Sequence, residues 1–101
     1  MRLVRIIRVT LRREIIVKMK YLDCVEVIAE KEKYSKHGVH KGMQGVIWLE
    51  ERVDGEWDVY FPQYGDKPDI AEISIEEEDL RLLPNGMDAK INERIKAQLG
   101  D

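Results

Sequence analysis

One cysteine, three prolines and one phenylalanine are all that 101 residues contain of those types. Each scarcity excludes something. The single Cys24 forms no internal disulfide, so packing must hold the fold, and the chain fits a reducing compartment. A lone cysteine among apolar neighbours is expected as a small core residue rather than a nucleophile. No stretch approaches the ~20 apolar residues of a membrane span, and arginines interrupt the N-terminal apolar run too often for a secretory leader. A soluble, cytoplasmic protein is expected. Glycines leading into a helix N-terminus, the pattern that cradles phosphate, are missing, and no cofactor is expected.

What is present describes one small domain. Hydrophobic residues make up 44% and charged residues 37%, enough for a modest core under a strongly solvated surface, but not for a deep catalytic cleft as well. The net charge of −3 hides an asymmetry: residues 1–20 carry seven bases against Glu14, a surplus of +6, while the rest carries ten bases against nineteen acids, or −9. A basic arm therefore precedes an acidic body. Such a body repels phosphate, leaving the arm as the segment suited to a polyanion.

Three segments follow from the pattern: an arm at residues 1–20, a β-rich domain at 21–84 and a helical tail at 85–101. In the arm Leu3, Ile7, Leu11 and Ile15 recur every fourth residue, yet Ile7, Val9 and Leu11 alternate, so helix and strand suit it equally. It reads as a segment docked on the body, as a dispensable extension before Met19, or as an amphipathic contact for a membrane surface or partner.

The body alternates. Residues 22–29 predict a strand with Val25 and Val27 on one side, and residues 30–42 predict a long polar loop, exposed as binding or lid loops are. Gly42 and Gly45 turn that loop into an apolar strand at 46–51, which Asp54-Gly55 joins to a strand at 56–61 through a two-residue hairpin turn. Continuous pairing from this turn sets Leu49 against Tyr60 and Trp48 against Phe61. It makes Val46, Trp48, Trp57, Val59 and Phe61 the core face, and leaves Ile47, Leu49 and Tyr60 outward with Glu51 opposite Asp58. Alternation resumes at 70–75, a tight helical turn follows at 76–79, and a short strand closes the domain. In the tail Asp88 caps a helix at 89–99 with the stripe Met87, Ile91, Ile95 and Leu99, and Gly100 ends it. A helix this short must dock to persist.

The residues Asp23-x-Val25-x-Val27, then Gly42-x-x-Gly45-x-Ile47, then Glu78-Asp79-Leu80-x-Leu82 resemble small bacterial SH3-like barrel proteins, KOW-like in the first strands. The resemblance covers residues 21–84. It implies a mainly β fold, a small five-stranded SH3-like barrel, and a family whose members bind RNA, ribosomes, polymerase or peptides.

His37-x-x-His40 has a spacing that suits a metal, with Cys24, Glu26 or Asp79 as conceivable further ligands, but in a glycine-rich loop the pair reads as exposed histidines, and no metal is expected. Acidic pairs such as Glu50 and Glu51 lie in polar runs, where nothing raises a carboxyl pKa for acid–base work, so no catalytic site is expected. The resulting expectation is a non-enzymatic SH3-like module for a protein partner. Its contacts are Tyr34, His37, His40, Lys41 and Tyr64, which loops of such barrels gather at one rim. Two alternatives stand beside it: an antitoxin- or immunity-like inhibitor whose acidic body masks a basic surface, and an RNA- or DNA-associated KOW-like protein that uses the basic arm.

Overall fold

Alternation in the sequence becomes strand at each expected place, although the strand expected at 46–51 runs from 44 to 47 and the one expected at 70–75 runs from 71 to 76. The computed structural model describes residues 18–63 and 65–100; the expectations for residues 1–17 and for Tyr64 lie outside the described residues. In chain order come β1 (Cys24–Val27), a single helical turn α1 (Glu32–Ser35), β2 (Gln44–Ile47), β3 (Glu56–Phe61), β4 (Ala71–Glu76), a 3₁₀ turn (Glu77–Asp79), β5 (Leu80–Leu82) and α2 (Ala89–Leu99). The five strands form one antiparallel sheet in the order β4-β3-β2-β1-β5. The chain meanders outward from β1, and β5 returns to the other side of β1. The result is a mainly β, curled half-barrel with a short C-terminal helix.

The hairpin turn forms as the Asp54-Gly55 pair predicts. Val53 and Glu56 exchange both backbone hydrogen bonds at 2.9 Å, and Asp54 and Gly55 take the positive φ angles of 54° and 80° that such a turn requires. Beyond the turn the expected register fails. Val46 opposes Tyr60 and Ile47 opposes Val59, and the Trp48 amide donates to Asp58 at 2.8 Å. Between that rung and Val53, residues 49–52 stand against the single Trp57, three more than a regular ladder takes. An odd excess exchanges the two faces of a strand. The core assignment is therefore corrected: Ile47 is fully buried, whereas Trp48 is 47% exposed and Val46 faces the same way. Glu51 does not oppose Asp58, which lies across from Ser74 on β4. Cys24 is half-buried on the side opposite Val25 and Val27, outside the core.

The loop at residues 30–42 is the second correction. A polar sequence predicts it exposed, yet Tyr34 and Val39 are buried in the core, as is Met43 just after it. The Tyr34 hydroxyl donates to Asp79 Oδ2 at 2.7 Å and accepts from the Glu76 amide at 3.1 Å. Lys31 Nζ reaches the same Asp79 oxygen at 2.8 Å, and Lys33 pairs with Glu76. Apolar burial and a satisfied polar cluster together pull the loop onto the 3₁₀ turn. Burial pushes the Tyr34 hydroxyl above its ordinary range, and the Asp79 hydrogen bond adds to this.

Burial of Asp79 favours its neutral form, but the hydrogen bonds from Lys31 and Tyr34 and the lysine charges outweigh it, so its carboxyl titrates below the ordinary value. A carboxylate lowered in the fold contributes stability that is complete above its unfolded pKa and is lost as pH falls through the folded one. Asp79→Asn is expected to cost about 1–2 kcal/mol at neutral pH. The gap between variant and wild type should close as pH drops below the folded pKa of Asp79, as urea denaturation across an acid pH series would measure.

The tail helix forms over the residues the sequence marks. Asp88 accepts from the Lys90 amide at 2.9 Å, and Gly100 caps the other end at φ 77°. Of the expected stripe Ile95 packs on the core and Met87 and Ile91 are half-buried, but Leu99 is exposed, and Asn92, outside the stripe, is the fully buried side chain. The Asn92 Oδ1 accepts from the Gln44 amide at 2.7 Å, while its Nδ2 donates to the carbonyls of Gln44 at 2.8 Å and Pro62 at 3.1 Å. The amide thus binds β2 as a neighbouring peptide group would. Among the described residues no helix is long and apolar enough to cross a membrane.

Candidate partner-binding surface

Because cross-strand partners share a face, the register decides what the convex side of the sheet displays. One row runs Cys24, Val46, Tyr60, Glu72; the next runs Trp48, Asp58, Ser74. Trp48 and Tyr60 sit diagonally, with ring centroids 5.8 Å apart and planes tilted by 41°. Tyr21 joins them from the segment before β1, its centroid 5.8 Å from that of Trp48 at 57°. Three aromatic rings thus form a continuous row, with Trp48 in the middle.

Local structure positions the two tyrosines. The Tyr60 hydroxyl donates to Asp69 Oδ1 at 2.7 Å. Tyr21 rides on a tight turn in which Asp23 accepts from the Lys20 amide and ammonium, each at 2.9 Å, while Leu22 donates to the Ile47 carbonyl at 2.8 Å. Leu22 takes φ 73° and remains 53% exposed. A leucine in left-handed backbone costs about 1–2 kcal/mol, which the hydrogen bonds of this turn offset.

Beside Tyr21 and Trp48 a depression of about 470 Å³ opens, walled also by Leu49, Val53, Glu50 and Glu51. The residues that loop out of the β2–β3 ladder supply most of that wall. On the other side of Trp48, Asp58 hydrogen-bonds and repels Glu72, which raises the pKa of Glu72 above the ordinary carboxylate value. Among the described residues no lysine or arginine forms an ion pair with Glu50, Glu51, Asp58 or Glu72; the bases that pair go to Glu26, Glu76, Glu77, Asp79, Glu93 and Asp23.

The loop residues expected at one rim are divided. Tyr34 is buried and is corrected from a contact residue to a core one. His40 and Lys41 meet at Glu30, whose carboxylate accepts from the Lys41 amide at 2.8 Å and contacts His40 Nδ1 at 2.8 Å. The Lys41 hydrogen bond and then His40 lower the Glu30 pKa. These contacts fasten the loop. His37 is exposed on the same segment, and Tyr64 lies outside the described residues. Among the described residues no three of His, Cys, Asp and Glu gather as a metal site.

Of the aromatic row, only Tyr60 falls in the outward set read from sequence. Trp48 is missed because the hairpin register is three residues out, and Tyr21 because a turn rather than a strand carries it. A search for aromatic residues around the Asp54-Gly55 turn, made without assuming regular pairing, would find the pair Trp48 and Tyr60.

The fold and this face define a small β half-barrel with a tail helix and an exposed aromatic row. Comparison with known proteins finds no matching family model, no matching curated protein and no matching solved structure.

Proposed function

We propose that this chain is a non-enzymatic, SH3-like binding module that engages a protein partner through Tyr21, Trp48 and Tyr60. The aromatic row carries the reading. Large rings partly out of water and in contact with one another are the commonest anchors of protein interfaces. The SH3-like assignment draws support from the long first excursion, the tight central hairpin, the 3₁₀ turn before the last strand, and the return of β5 to β1.

The acidic body and the engagement of Lys31 and Lys33 with Asp79 and Glu76 weigh against nucleic acid as the ligand of the folded part. An antitoxin- or immunity-like role would use the same acidic face against a basic partner.

Trp48→Ala is the direct test. Since Trp48 is half in solvent, the variant should lose about 1 kcal/mol of stability or less, yet bind a partner at least about tenfold more weakly. Affinity capture with full-length wild type and variant, quantified by mass spectrometry, reads this out. Equal retention of every captured protein would overturn the proposal.

A further inference from the structure

We infer that the segment this surface binds is cationic and extended, and that it lays an arginine or lysine over Trp48 between the carboxylates of Asp58 and Glu72 on one side and Glu50 and Glu51 on the other. The inference rests on the binding-module reading and specifies the partner's chemistry.

Charge complementarity is the first argument. Four carboxylates surround the aromatic row, and none of them has a basic partner among the described residues. Asp58 and Glu72 stand diagonally on neighbouring strands, close enough that Asp58 raises the pKa of Glu72, a like-charge pair that a nearby cation would relieve. A neutral apolar segment covering Trp48 would desolvate these groups without replacing their water, which is costly. A phosphate chain or an anionic lipid surface would be repelled. A cation satisfies both the rings and the acids.

Geometry is the second. Trp48 is the best ring for a cation–π contact, and it stands diagonal to Tyr60 and directly opposite Asp58 in the sheet. A guanidinium stacked on the indole therefore has a carboxylate on the same rung, within the fork-like reach of arginine. The depression of about 470 Å³ beside Tyr21 lies near the low end of ligand-cleft volumes and opens to solvent. A volume of this size takes a few residues of chain, and an extended segment presents its side chains to it and to Trp48 together.

The test uses the full-length chain against a phage-displayed library of random dodecapeptides, followed by titration of the synthetic peptide from the most enriched clone. Its lysines and arginines are replaced one at a time by glutamine, and Trp48 fluorescence and calorimetry report affinity. Enriched clones should be rich in Arg or Lys, and replacing the key base should weaken binding about tenfold. Trp48→Ala should weaken it at least as much. The double variant Asp58→Asn, Glu72→Gln should weaken it about threefold or more and flatten its salt dependence, while its thermal midpoint stays level or rises because the repulsion is gone. Clones that need Trp48 but carry no base would overturn the cationic inference and leave the binding-module reading intact. Clones that bind Trp48→Ala as well as wild type, or no enrichment at all, would overturn both.

Discussion

Gly45→Ala is expected to lower stability by about 3 kcal/mol, which for a domain of this size lowers the thermal midpoint by about 15 °C. Gly45 is not in a left-handed conformation, so the penalty is not one of backbone torsion. A Cβ at this position would lie 2.5 Å from the Tyr60 carbonyl oxygen, 2.9 Å from Val59 Cγ1 and 3.0 Å from Phe61 Cδ1. A carbonyl in a sheet cannot swing aside as a side-chain tip can. Either β2 and β3 separate, which breaks the rungs at Val46 and Ile47, or the curl of the sheet relaxes. Gly55→Ala is the comparison. At φ 80° with nothing within 4 Å of the new methyl, it should cost only about 1 kcal/mol of left-handed strain. Equal losses for the two variants, measured by thermal or urea denaturation, would count against the close approach of β2 to β3.

Asn92→Ala should cost about as much, near 3 kcal/mol, for a different reason. The side chain is fully buried and satisfies one amide and two carbonyls of the sheet. Truncation strands all three, and each unsatisfied buried group costs about 1–3 kcal/mol, less where water enters. Aspartate is no substitute, because it keeps the acceptor but turns a negative charge toward the carbonyls of Gln44 and Pro62. Helix α2 is too short to stand without this contact, so its fraying should accompany the loss. Amide hydrogen exchange at Gln44 and through residues 89–99 would show it, with unchanged protection in α2 as the contrary result.

These two residues also mark how far the sequence can be read. Gly45 reads in the sequence as part of the turn into an apolar strand, but the structure places it inside β2, where the close approach of Tyr60 requires it, and that partner depends on the register. Asn92 is not legible at all. Periodicity finds apolar stripes, and a buried amide carries no periodic signal; its hydrogen-bond partners are 48 and 30 residues away. The strands, the Asp54-Gly55 turn, the 3₁₀ turn and both ends of α2 could be placed from local pattern because local torsional and capping preferences determine them.

The interior of the loop at 30–42 could not be placed that way. Tyr34 looks like an exposed aromatic among lysines until the chain brings Asp79 to it from 45 positions on. The candidate surface fared worst, since its central residue changes sides with one irregularity in pairing. An alternating strand tells which residues share a face, but not which face meets the core.

The residues that leave the ladder before the hairpin turn have a wider consequence. The rungs on either side of them, Trp48 with Asp58 and Val53 with Glu56, would be regular if only one residue stood opposite Trp57. The extra length is thus unconstrained by the sheet, and it carries Glu50 and Glu51 to the edge of the depression. The side chains of Glu50 and Glu51 can be exchanged without disturbing the rungs on either side, whereas Arg52 is tied to Glu77. Divergence between related chains should therefore concentrate in this short excursion and leave the strands beside it alone.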